Sequence, residues 1–272
     1  MRKITVLLFV VMLCFLSLPV VYRIAETSSY HGMTGVGTKE VVGYYAVDSN
    51  CVLYHAYWDS TATDHSSYGN NGTVVGATFV ENGLYFITDD YVSCDDSASL
   101  DIGTAGIFTI FVWRKYVGGG GATSQAWFGK GGDGAYAPYV ASFTRADTVQ
   151  YFLGSQAGDA WDTNIAKEDS TKEDGNWYLL TIRSNGTNSA TMHLNTTLRE
   201  TDTSPANAFY DNAGPLIIGA ACGASPGYTV ARWLYAAYIG EILIFKTDLG
   251  NVATPGSDAN NFYNSTKARY GL

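Results

Sequence analysis

Basic residues are in deficit: 16 Lys and Arg stand against 25 Asp and Glu, leaving a net charge of −9. That balance excludes the clustered Lys and Arg surface with which nucleic-acid binders hold phosphates. Cysteine is sparse too, with four in 272 residues. Cys14 falls in an apolar N-terminal run, and Cys51, Cys94 and Cys222 make an odd remainder. A disulfide-built scaffold is excluded; one bridge with one thiol left over is as far as spacing goes. The histidines, His31, His55, His65 and His193, are scattered. No H-E-x-x-H or close Cys/His set exists, so a zinc site has no support. Strand–helix alternation is missing, which excludes a parallel α/β fold.

Catalytic signatures are also lacking, or fail on inspection. Gly223-Ala224-Ser225-Pro226-Gly227 matches the G-x-S-x-G nucleophile elbow. Pro226 has no backbone N–H to serve as the oxyanion donor after the Ser, so the match is a loop. Gly129 to Gly134 matches G-x-G-x-x-G, but aromatic, strand-like residues follow where a pyrophosphate site needs a helix N-terminus. Glycoside hydrolysis needs two carboxylates flanking one bond. Glu168-Asp169 and Glu173-Asp174 sit in a charged loop, and Glu241 lies alone in a strand facing the same way as Ile239, Leu243 and Phe245. A solitary strand Glu reads as a structural hydrogen-bonding partner.

What is present is apolar and aromatic: 46% hydrophobic residues and 20 Tyr, with recurrent Gly, Asn and Thr, favour strands and turns. Met1-Arg2-Lys3 precedes a nearly unbroken apolar run from Ile4 to Tyr22. Small residues are poorly placed before a cut, since Ala25 would put Arg23 at −3. Residues 1–25 therefore read as either a signal peptide or a retained membrane anchor, an apolar helix in both cases. Arg2 and Lys3 hold the N-terminus inside, so the remainder is expected to be secreted or cell-surface. Residues 26–43 read as a linker and 44–272 as one domain. Four sequons, at Asn71, Asn185, Asn195 and Asn264, permit glycosylation.

Within that domain Phe108 to Trp113 is apolar on both alternating faces, as a strand buried between two layers should be. Trp177 to Ile182 behaves likewise and enters a hairpin through Ser184 to Asn188. In the returning strand Ala190, Met192 and Leu194 face in, while Thr191, His193 and Asn195 face out. Leu216 to Gly219 and Tyr238 to Phe245 supply further strands, and only Asp258 to Arg269 has helical character.

Asp59, Asp64, Asp89, Asp90, Asp95 and Asp96 crowd the opening loops. Ca²⁺ takes six to eight oxygens from such a mixture of carboxylates and free carbonyls, with Asp59, Asp64 and Asp90 as candidate ligands. The competing reading is that these Asp residues cap turns by accepting backbone N–H bonds. Trp127, Tyr136 and Trp161 are the aromatic candidates for stacking on a sugar; otherwise they belong to the core.

One ordered series carries a family likeness. Asp64 with Ser66-Ser67-Tyr68-Gly69-Asn70-Asn71-Gly72 resembles the "D-x-S-G-x-G-N-x-G" loop that opens laminin-G-like, concanavalin A-like jelly-roll domains. Gly83 to Phe86, Asp90 to Ser93, Asp96 to Asp101 and Phe108 to Trp113 follow in the family's order. Later Gly129-Lys130-Gly131, Gly175 to Tyr178, Gly240-Glu241-Ile242 and Lys267 to Leu272 do the same. The resemblance implies an all-β, two-sheet antiparallel jelly-roll sandwich, often with Ca²⁺ at the rim, and Asp59 and Asp64 as the first positions to test. It also implies a non-catalytic extracellular binding module for a glycan or an extracellular protein. The alternative is a structural, self-associating subunit of a surface layer, filament or viral particle. A glycosidase of the same fold comes third. Membrane contact is expected only through the N-terminal segment.

Overall fold

The computed structural model describes residues 44–272, apart from 103–105, 119–124, 132–138, 145–147, 154–162, 169–174, 187–188, 204–212, 223–229 and 232–235. The expected helix within 1–25, the linker 26–43, and the loops holding Tyr136, Trp161, Asp169 to Asp174 and Gly223 to Gly227 lie outside the described residues. Tyr44–Leu272 forms one unit.

Seventeen strands are described. They are β1 (Cys51–Ala56), β2 (Gly72–Val75), β3 (Thr78–Val80), β4 (Gly83–Phe86), β5 (Tyr91–Cys94), β6 (Ile107–Tyr116), β7 (Gln125–Lys130), β8 (Tyr139–Thr144) and β9 (Thr148–Leu153). The series continues with β10 (Thr163–Glu168), β11 (Trp177–Asn185), β12 (Ala190–Leu194), β13 (Thr197–Asp202), β14 (Leu216–Ile218), β15 (Ala221–Cys222), β16 (Val230–Ala231) and β17 (Ala237–Phe245). An eight-stranded antiparallel sheet runs β13-β12-β11-β6-β17-β4-β3, with β1 also paired to β17. A seven-stranded sheet runs β10-β9-β8-β7-β14-β5-β2. This is the sandwich the sequence implied.

The main core lies between the sheets. Phe108, Ile110, Val112, Ile182, Met192, Ile242 and Ile244 face Val92, Phe128, Leu216 and Ile218 across it. A second core covers the opposite face of the eight-stranded sheet, where Phe111, Trp113, Leu243 and Phe245 meet Val252, Ala259, Phe262 and Tyr270. Both alternating sets of β6 are therefore buried, which is why that strand lacks a polar face.

The second layer is the C-terminal helix α1 (Asp258–Thr266) and the 3₁₀ turn after it, Lys267–Tyr270. Ser257 caps α1 by accepting from Asn260 N at 3.1 Å. Trp113 Nε1 donates to Thr266 Oγ1 at 2.9 Å, and the Phe111 ring stacks on Phe262 with centroids 4.5 Å apart. The layer also corrects one expectation: Thr191 and His193, read as facing out, are buried. The chain after β17 folds back over that face, as Arg183 shows by bonding Asp248 at 2.8 and 2.6 Å.

The register breaks at Gly240, where β17 passes from pairing with β4 to pairing with β1. A Cβ there would lie 2.4 Å from the Tyr270 ring, so the residue must be Gly for the C-terminal turn to close.

Candidate functional site

The opening loop begins at the 3₁₀ turn Tyr57–Asp59 and ends at β2. Asp64 builds its inner corner. One carboxylate oxygen accepts from Tyr54 N (2.8 Å) and Ser66 N (2.9 Å), and the other from Ser66 Oγ and Asn70 N (both 2.7 Å). Asn70 then donates to Val52 O and Ser99 Oγ, each at 2.7 Å, pinning the loop to β1 and to the segment before β6. The Asp, Ser and Asn of the opening motif are thus one hydrogen-bonded unit. Behind it, His55 Nε2 donates to Asn70 O at 2.9 Å, which leaves Nδ1 to accept from the Tyr57 hydroxyl at 3.1 Å. Burial, opposed by the Asn70 bond, holds this imidazole below its ordinary value.

The other predicted carboxylates lie apart from that corner in function. Asp90 is buried and accepts from Ile87 N at 2.9 Å before β5, and its other oxygen stands against Gly76. Asp96 and Asp101 face the fully buried Lys130, at 2.5 and 3.3 Å from Nζ. Asp59 accepts from Thr61 N and Oγ1 on one oxygen and from Tyr44 and His65 on the other. Among the described residues no group of three His, Cys, Asp or Glu side chains could hold a metal ion. Asp59, Asp64 and Asp90 do not come together in one such group. The residues present do not fit a shared calcium site.

Trp127 is 1% exposed, inside the main core, with the Arg114 guanidinium 5.1 Å from its ring centroid. Cys51 and Cys94 are free, buried thiols, both pushed upward chiefly by burial. Glu241 is fully buried on the outer face. It accepts from Tyr54 at 3.1 Å, from Tyr270 at 3.0 Å and from Arg269 Nη1. Burial raises its carboxyl above the usual range, while Arg269 and the two hydroxyls pull it down. Held this way, Glu241 fastens β17 to the C-terminal turn.

At the surface beside this network stands an aromatic and charged cluster. The Arg269 guanidinium lies 4.1 Å from the Trp58 ring centroid. Tyr44 packs on Trp58 with centroids 5.0 Å apart and on His65 at 4.1 Å, and meets Tyr54 edge-on at 6.1 Å. Its hydroxyl donates to Asp59 Oδ2 at 2.8 Å, and His65 Nε2 donates to the same oxygen at 2.9 Å. Tyr44 is 49% exposed, so this aromatic and charged patch opens to solvent. Aromatic faces with a few fixed polar groups are how proteins hold small polar ligands. Of the predicted site residues that are described, Asp59 alone belongs to it. The Tyr-Trp-Asp run at 57–59 and the adjacent Asp64-His65 were the local signals.

Comparison with known proteins places the domain. The family model for the concanavalin A-like lectin/glucanases superfamily matches residues 86–250. No curated protein matches the chain. The binding domain of paraclostridial mosquitocidal protein 1 superposes with a TM-score of 0.62 at 13% identity, over 79% of this chain and 52% of that one. The receptor-binding domain of botulinum neurotoxin D gives 0.59 at 12%, over 80% and 53%. The binding domain of botulinum neurotoxin DC, in complex with sialylT, gives 0.57 at 13%, over 79% and 51%. The chain spans about half the length of these structures.

Proposed function

This chain belongs to the concanavalin A-like lectin/glucanases superfamily, and from that membership we propose that it is a non-catalytic binding module whose partner is a glycan on an extracellular surface. The observation that carries the reading is the solvent-open patch of Tyr44, Trp58, His65 and Asp59, which offers aromatic faces beside a fixed carboxylate. Structural neighbours support it: botulinum neurotoxin binding domains have been solved with sialylT and with rat synaptotagmin II. The state of Glu241 supports the absence of catalysis, since an acid closed in by Arg269, Tyr54 and Tyr270 has nothing to protonate.

The test is a glycan array probed with the full chain, with and without chelator, alongside an assay for released reducing sugar. Binding without hydrolysis is the expected result. Binding that survives chelator needs no cation; binding lost with chelator assigns a cation to the site. Hydrolysis of a bound glycan overturns the module reading. Ordered self-assembly with no glycan bound turns it toward a structural subunit.

A further inference from the structure

We infer that Tyr44 occupies a ligand slot of this domain as its resident plug, and that the ligand of the slot is a pyranose ring of a glycan; this rests on the binding-module reading. The walls are the Trp58 and His65 rings, with Tyr54 at the edge. At the closed end stands Asp59 Oδ2, 2.8 Å from the Tyr44 hydroxyl. The occupant reports what the slot accepts: a six-membered ring, packed by its face, with a hydroxyl that donates to a carboxylate. A pyranose has that footprint, C–H groups that pack on an aromatic face, and hydroxyls able to donate and accept.

Two features mark the tyrosine as replaceable. It is half exposed, unlike Tyr54 beside it, which is fully buried. With Tyr44 seated, moreover, Trp58 Nε1 is buried and has no acceptor. A buried donor left unpaired is costly, and a sugar hydroxyl or ring oxygen would supply what a phenol face does not. His65 and Asp59 remain to meet a second hydroxyl, and Arg269, bonded to Glu241, packs over the Trp58 ring. The plug lowers apparent affinity by the fraction of time it is seated.

The full chain is titrated by tryptophan fluorescence with methyl β-galactoside, methyl α-mannoside, N-acetylneuraminic acid and the oligosaccharides bound on the array. Tyr44→Ala should tighten binding, about tenfold if the plug is seated about nine-tenths of the time. Tyr44→Phe, which keeps the ring and loses the Asp59 bond, should give a smaller gain and remains informative if the Ala variant folds poorly. Asp59→Asn in the Tyr44→Ala background should cancel the gain. If wild type binds and both Tyr44 variants bind no tighter, Tyr44 is only an anchor: the slot falls and the module reading stands. If neither wild type nor any variant binds a glycan, both fall.

Discussion

Asp59 and Asp64 lie on the same loop, and each accepts four hydrogen bonds, yet they are opposite kinds of carboxylate. Three of the Asp64 donors are backbone N–H groups, and the fourth is a hydroxyl two residues away. None can leave without unmaking the loop. On Asp59 one oxygen is held locally by Thr61, but the other accepts from the side chains of Tyr44 and His65. Side-chain donors can be exchanged for a ligand's; backbone donors cannot. Crowded Asp residues therefore say little until their donors are known; Glu241 accepts from the side chains of Tyr54, Tyr270 and Arg269 and shares with Asp64 its burial.

The sharpest way to break this contrast is at Glu241. Glu241→Ala leaves the Arg269 charge, 9% exposed, facing a cavity, with two tyrosine hydroxyls deprived of their acceptor. Stability should fall by about 3–5 kcal/mol, the usual cost of breaking a buried pair from one side. Urea unfolding measures it, and a loss below about 1 kcal/mol would mean that the network is not a fastener. Asp64→Ala comes next, at about 2–4 kcal/mol, because buried N–H donors lose their acceptor. Hydrogen exchange should locate that loss at Tyr54, Ser66 and Asn70, where protection ought to disappear first.

These two sites also show what was readable in the sequence. β6, the β11–β12 hairpin and α1 announced themselves, because burial on one or both faces leaves a periodic apolar record. β13 left none: its Thr197-Leu198-Arg199-Glu200-Thr201-Asp202 is a sheet edge, and a solvated edge needs no apolar alternation. The opening motif was legible as a corner since its donors and acceptors are sequence neighbours. The patch was not, for Tyr44, the loop residues Trp58 and His65, and Arg269 come from three separate stretches joined only by folding. His193 was misassigned for a related reason, because local alternation cannot reveal a cover that arrives from beyond β17.

That cover makes a pH prediction. Burial, then the Arg183 charge, push the His193 imidazole down to about 4, with the Asn251 side chain working the other way. The folded state thus binds fewer protons than the unfolded chain between the ordinary histidine value and about 4. Stability from the neutral ring is complete above that window and is lost as pH falls through it. The loss should reach about 2–3 kcal/mol by the bottom of the window. His193→Leu should flatten that part of the stability–pH curve relative to wild type. An unchanged slope would place the acid sensitivity elsewhere, with His55 as the first alternative.

Asp59→Asn should have the smallest effect on stability and is the most telling comparison with Asp64. The amide keeps an oxygen for Thr61, the Tyr44 hydroxyl can accept from the new N–H, and only the His65 bond is set against a donor. A partly exposed arrangement of this kind should cost less than about 1 kcal/mol. Asp64→Asn lacks that latitude, since an amide N–H there confronts backbone donors that cannot turn. Thermal melts of the two Asn variants side by side measure the difference. A large gap, with Asp59→Asn near wild type, means that this carboxylate does little to hold the loop and is available for a ligand. Equal losses would make Asp59 a second corner-builder, and the patch would then have no polar group to spare for anything outside the protein.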